Sequence, residues 1–254
     1  MNVDYDLRLS VRGEGPPVVL VPGMNGTGEL FYNQVPLLER SYRVATYSLR
    51  DDADSMEALA RDLSRVVEIV SPVERRAIVV GESFGGAIAL TFGLTHPDRV
   101  AGLVILNSFC YFAPRLRLWL AIAALELFPG NAMPMVRYLT ASRLHSRHTH
   151  RQEIERFIGL TANATRRGYL NRLKLLRRYD LRQRLGDIRA PTLFLASEWD
   201  HLVPAVSQAR FMADSVPSSA MRILFGHGHI CVIAPDFDLW QILDEWSAGK
   251  AIRC

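Results

Sequence analysis

Short continuous apolar runs alternate along the chain with longer stretches in which apolar side chains recur every three or four positions. The runs fall at residues 18–21, 77–80, 103–106 and 193–196, and residues 222–225, led by an arginine, repeat the pattern. Strands of a parallel sheet covered by helices on both faces read this way, without an apolar–polar alternation. Residues 44–49 read as one more strand, and residues 3–12 as a leading strand. Residues 56–70 and 237–246 carry helical spacing, and Ala87-Ile88-Ala89-Leu90 starts a helix directly behind a glycine-rich turn. Strands alternating with helices predict an α/β fold with a doubly wound, mostly parallel sheet.

The alternation breaks between about residues 110 and 180, where no strand pattern is found. That length suits about four helices. Residues 116–128 are apolar almost all round until Pro129-Gly130 stops them. Such a helix is either buried between layers, or forms an apolar wall or interfacial lip flanked by Arg115 and Arg117.

Composition narrows the class. With 254 residues, 49% of them hydrophobic, the chain can build one large core and an insertion. No stretch of eighteen uninterrupted apolar residues predicts a membrane span. The first residues, Met1-Asn2-Val3-Asp4-Tyr5-Asp6, read as a strand and not as a secretory signal. Cys110, Cys231 and Cys254 make no disulfide framework, so a cytoplasmic protein is the simplest expectation.

Charge is uneven. Residues 110–180 hold 13 basic and 4 acidic side chains, whereas the chain as a whole is +4. A basic segment therefore sits on an acidic body. This reads either as solvated helix faces or as a field that recruits an acidic partner: an acyl carrier protein, an anionic lipid surface, or a substrate with a distal carboxylate. No nucleic-acid module is visible, so nucleic acid is not an expected partner. His145, His148 and His150 lack an acidic or cysteine partner at ligand spacing; no metal and no cofactor are expected.

Four motifs carry candidate chemistry. Gly81-Glu82-Ser83-Phe84-Gly85 lies between an apolar run and a helix. The bare Gly-x-Ser-x-Gly pattern would occur by chance in roughly one chain in fifteen of this length, so the flanking strand and helix give it its weight. Asp200 and Glu198 lie in or beside the polar loop after the 193–196 run. His227 and His229, each behind a glycine, follow the 222–225 run. Ligands bind at the carboxyl edge of such sheets, where an acid, a base and a serine distant in sequence can meet. Residues 18–28 run from a strand into the loop Pro22-Gly23-Met24-Asn25-Gly26-Thr27-Gly28, which lacks the phosphate-loop spacing and the dinucleotide fingerprint.

Together these motifs resemble the α/β-hydrolases over residues 18–246. The resemblance implies a core of residues 1–109 and 181–254 and a helical cap of residues 110–180. It makes Ser83 the nucleophile, His229 the base and Asp200 the orienting acid. The family's Asp-x-Leu-Val-Pro phrase favours Asp200 over Glu198. The apolar run 230–234 followed by Pro235 favours His229 over His227, which is left as a pocket or turn residue. The N–H groups of Met24 and Phe84 would form the oxyanion hole, with Gly23 admitting the substrate closely. Asn25, Trp119 and Leu202 are further substrate-binding candidates. One departure stands out: many members have His-Gly where this chain has Pro22-Gly23, so a loop-stiffening hydrogen bond is expected to be missing. The implied activity is hydrolysis of carboxylic esters or thioesters, free or carrier-linked, through an acyl-enzyme. Acyl transfer to an alcohol, carbon–carbon bond hydrolysis and a non-catalytic ligand receptor are the alternatives.

Overall fold

The computed structural model describes residues 7–112, 115–127, 144–162 and 164–249. Seven strands form one sheet: β1 (Ser10–Arg12), β2 (Pro17–Val21), β3 (Arg43–Thr46), β4 (Ala77–Glu82), β5 (Val100–Leu106), β6 (Thr192–Trp199) and β7 (Ser219–Gly228). Their order is β1-β3-β2-β4-β5-β6-β7. β1 pairs antiparallel with β3, and every other pairing is parallel.

The continuous apolar runs have a direct cause. Successive residues of a strand point to opposite faces. Val19, Val21, Val79, Ile105 and Phe194 therefore join one core cluster. Val18, Leu20, Val80, Val104 and Leu193 join the other. Helices α2 (Met56–Val70), α3 (Phe84–Thr95) and α7 (Ala205–Ser215) cover the first face. Helices α1 (Val35–Leu38) and α8 (Leu239–Ser247) cover the second. α3 is buried on all sides from Phe84 to Gly93, which explains a helix with no polar face. Helix starts are marked by local chemistry: Ser55 caps α2 through the Ala58 N–H, and Asp238 caps α8 through the Gln241 N–H.

Several expected boundaries move. Within the described residues the leading strand is confined to Ser10–Arg12, and residues 1–6 lie outside them. The 44–49 strand ends at Thr46, because Ser48 and Leu49 spend their N–H groups on the Leu7 and Gly26 carbonyls, outside the sheet. β7 runs on to Gly228, so His227 belongs to a strand end and not to a loop.

The segment between β5 and β6 contains α4 (Arg115–Leu127), α5 (Arg151–Thr161) and α6 (Arg166–Leu176). About four helices were expected; three lie among the described residues, and residues 128–143 lie outside them. The segment leaves and rejoins the body at one point: Tyr111 and Asp180 form an antiparallel bridge, and the Leu181 N–H donates to the Cys110 carbonyl at 2.8 Å. α4 matches neither expected reading in full. It buries Leu118 and Ile122, but Leu116, Trp119, Leu120 and Leu127 are exposed.

Register sets the site. Val21 lies beside Gly81, Glu82 beside Leu106, Leu106 beside Leu195, and Trp199 beside Gly228. The carboxyl ends of β2 and of β4 to β7 thus line one edge of the sheet, where the loops carry the candidate groups.

Candidate active site

Ser83 sits between β4 and α3 with φ 53° and ψ −118°. This is a left-handed conformation for a residue with a side chain, and it stores about 1–3 kcal/mol of strain. The turn closes this tightly because of its glycines. A methyl group on Gly81 would collide with the backbone of Gly85, and one on Gly85 with the carbonyl of Val21. The Ser83 N–H donates to the Leu106 carbonyl at 2.9 Å, and the Ser108 hydroxyl donates to the Ser83 carbonyl at 2.6 Å.

The three residues expected to act together do meet. Ser83 Oγ lies 2.9 Å from His229 Nε2. His229 Nδ1 lies 2.7 Å from Asp200 Oδ2. The other Asp200 oxygen accepts the N–H groups of Leu202 and Val203, each at 2.9 Å, so the carboxylate is held by its own loop. Burial alone would push the His229 imidazole down. The charge and hydrogen bond of Asp200, helped by the charge of Glu82, outweigh it and leave the imidazole raised.

The rival groups have other duties. Glu198 accepts the Gly226 N–H at 3.1 Å on the exposed side. His227 Nδ1 lies 3.0 Å from the Ser146 hydroxyl, and its other nitrogen is 3.8 Å from Asp236. Burial holds the His227 imidazole below its usual range. His145 is driven further down by burial, to about 4. His148 lies 3.9 Å from Asp236.

The remaining expected site residues are placed as follows. Phe84 is the first residue of α3, so its N–H has no intrahelical acceptor. Gly23 and Met24 occupy the loop after β2, where the Gly26 N–H closes a turn on the Gly23 carbonyl at 2.9 Å. Asn25 lies in the same turn, partly exposed. Leu202 is exposed and contributes its backbone to Asp200. Among the described residues no contact links Trp119 to Ser83. The tryptophan is 58% exposed and lines an outer pocket with Tyr111, Phe112, Leu116 and Tyr179.

Four residues outside the expected set organise the site. Asn107, in a left-handed conformation at φ 47°, follows β5. Its amide donates to the His229 carbonyl at 2.8 Å and to Ser197 Oγ at 2.9 Å, while its oxygen accepts the Ser197 N–H at 2.7 Å. With Ser108 beside it, one dipeptide holds the main chains of both the serine and the histidine. Arg172 of α6 is buried. It donates to the Met24 carbonyl at 3.2 Å, to the Leu49 carbonyl at 3.0 Å and to Asp51 at 2.8 Å. Glu82 is buried beside His229, and its carboxyl is held by the Gly23 N–H. The close contact of this carboxyl with Gly23 ties the end of β4 to the loop behind Pro22. A polar pair directly behind the apolar run 103–106 was a readable signal for Asn107 and Ser108. Glu82 stood inside the motif, but nothing distinguished Arg172 among the segment's cations.

Some of that segment's cations are paired or stacked. Lys174 pairs with Glu126 at 2.7 Å, Arg151 with Glu155 at 2.9 Å, and Arg172 with Asp51. Arg156 stacks over Tyr32 and Arg147 over Trp199.

A strained serine at a strand–helix turn, in line with a histidine and a carboxylate on later loops of a doubly wound sheet, is the arrangement of a nucleophile enzyme. The chain belongs to the alpha/beta hydrolase fold family, whose model matches residues 16–234; it is a hydrolase. A protein of Escherichia coli O157:H7 named "Putative carbamate hydrolase RutD" is 25% identical over 230 residues, covering 86% of each chain. A thermophilic esterase from Thermogutta terrifontis superposes with a TM-score of 0.81 at 24% identity, over 96% of this chain and 93% of that one. The enol-lactonase from Burkholderia xenovorans LB400 superposes at 0.78 with 18% identity, over 96% and 94%. These two likenesses show the fold. Among the described residues no helix is long and apolar enough to cross a membrane.

Proposed function

We propose that this hydrolase cleaves carboxylic esters through an acyl-enzyme on Ser83. The observation that carries the reading is the unbroken line from Ser83 Oγ to His229 Nε2 at 2.9 Å and from His229 Nδ1 to Asp200 at 2.7 Å. In the first step Ser83 Oγ attacks the ester carbonyl while its proton passes to His229 Nε2. Asp200 holds the imidazole in the tautomer that accepts there and stabilises the imidazolium. The N–H groups of Met24 and Phe84 receive the oxyanion, each worth roughly 3–4 kcal/mol in the transition state. The imidazolium then protonates the leaving alcohol. Water, activated by the same nitrogen, releases the acid and restores Ser83.

A carbamate is the second reading, supported by the name of the curated relatives. The same attack on a carbamate carbonyl needs no further group. A series of p-nitrophenyl esters from acetate to palmitate, alongside p-nitrophenyl carbamates, separates the two. Ester turnover that disappears in Ser83→Ala is the expected result; turnover of carbamates alone would overturn the ester reading. Running the series at low and high salt, with an acyl-carrier substrate added, tests recruitment of an acidic partner by the basic segment. A neutral ester should respond little to salt.

A further inference from the structure

Glu82 carries a buried carboxyl that the reaction above does not use. Its side chain is 12% exposed, and its Oε1 lies 3.9 Å from His229 Nε2, the ring nitrogen that faces Ser83 Oγ. The other oxygen rests against Gly23: a methyl group there would collide with it, and the Gly23 N–H donates to the carboxyl. The charged or titratable groups that face it are His229 behind β7, Asp200 behind β6, and the Cys231 thiol. None of these is a permanent cation. Burying a carboxylate here has a cost, and burial lifts its protonation to about 7. A glutamine would have the same shape and the same acceptor for Gly23 without that cost. What a carboxylate adds is charge next to a nitrogen that becomes cationic.

We propose that Glu82 is a positioning residue of the reaction: its carboxylate stabilises the imidazolium of His229 from the Nε2 side, as Asp200 does from the Nδ1 side, and it anchors the loop that carries Met24. The inference rests on Ser83 being the nucleophile. No bond to Glu82 forms or breaks. The Ser83 proton moves to Nε2, positive charge spreads over both ring nitrogens, and each nitrogen then has its own carboxylate.

The test follows the rate at which an alkyl fluorophosphonate labels Ser83, read by intact-protein mass spectrometry from pH 5 to 9. The reagent reports on the serine and histidine whatever the acyl substrate is. Labelling needs neutral His229, so the rate falls with acidity as the imidazole gains its proton. Glu82→Gln removes one of the two charges that hold the imidazole up. Its acid limb should move to lower pH by about half a unit or more, with a plateau about tenfold slower. Glu82→Asp keeps the charge one methylene further back, and its limb should fall between the other two. Because the two variants are read separately, one that fails to fold leaves the other to decide. Acid limbs that superimpose on wild type overturn the proposal, since a purely structural Glu82 would move the plateau alone. Shifted limbs in an enzyme that leaves every ester untouched would sink the ester reading and sustain this inference. A wild-type Ser83 that never labels would overturn both.

Discussion

Removing the Asn107 side chain should damage stability and catalysis together. Asn107→Ala abolishes the short hydrogen bonds to the His229 carbonyl, to Ser197 Oγ and from the Ser197 N–H, all buried, at 2.8, 2.9 and 2.7 Å. Each of the three buried partners left unsatisfied costs about 1–3 kcal/mol. Alanine at φ 47° adds about 1 kcal/mol of backbone strain. The total, about 4–10 kcal/mol, is comparable with the whole stability of many domains. Asn107→Asp is the gentler probe. It tolerates the left-handed backbone and still accepts the Ser197 N–H, but when ionised it turns a lone pair toward the His229 carbonyl. Burial and that repulsion should raise its protonation above the unfolded value. Its stability relative to wild type should therefore be best in acid and decline as pH rises. The assays are urea unfolding at pH 5 and pH 8, and kcat/KM on the same preparations. A His229 main chain set free by even 1 Å should lower kcat/KM by about 100-fold. Asn107→Ala within 1 kcal/mol of wild type, or destabilised with undiminished kcat/KM, would refute the argument.

Three further outcomes are expected. Ser83→Ala should lose several orders of magnitude in kcat with its fold intact, because serine and histidine act as a unit; substantial residual ester turnover would place the nucleophile elsewhere. Glu82→Gln should be more stable than wild type at pH 8. The carboxyl is lifted from its ordinary 4.5 to about 7 in the folded state, so its ionisation destabilises the fold as pH rises from about 4.5 through 7. The difference should reach ~3 kcal/mol and vanish below about pH 4.5; a gap independent of pH in thermal melts would contradict this. Arg172→Met should cost about 2–3 kcal/mol, less than a fully buried pair would, because Asp51 is 36% exposed and can rehydrate. It should also lower kcat by loosening the Met24 loop, and Asp51→Asn in the same chain should recover part of the stability in a double-mutant cycle.

The helix–strand alternation along the chain determined the layered fold, because a strand covered on both faces must be apolar at every position. The spacing of Gly81, Ser83 and Gly85 determined the tight turn, because a side chain at either glycine would strike backbone. Asp200 and His229 were legible as loop residues behind strands, since such loops project from one sheet edge. The resemblance favoured them over Glu198 and His227; what those rival groups do instead is a matter of three-dimensional reach. Glu198 ends on the Gly226 N–H and His227 on Ser146, and neither was readable in a linear pattern. Trp119 shows the converse: an aromatic in an apolar helix reads as a substrate-pocket wall, and the fold sets it, 58% exposed, in an outer pocket with Tyr111 and Tyr179. Local sequence thus determined what each segment becomes, since propensity and period act over a few residues. Tertiary structure alone decided which polar groups meet. Asn107 with His229, Glu82 with Gly23 and Arg172 with Met24 are pairs separated by strand order and register, and pairing across that distance leaves no period in the sequence.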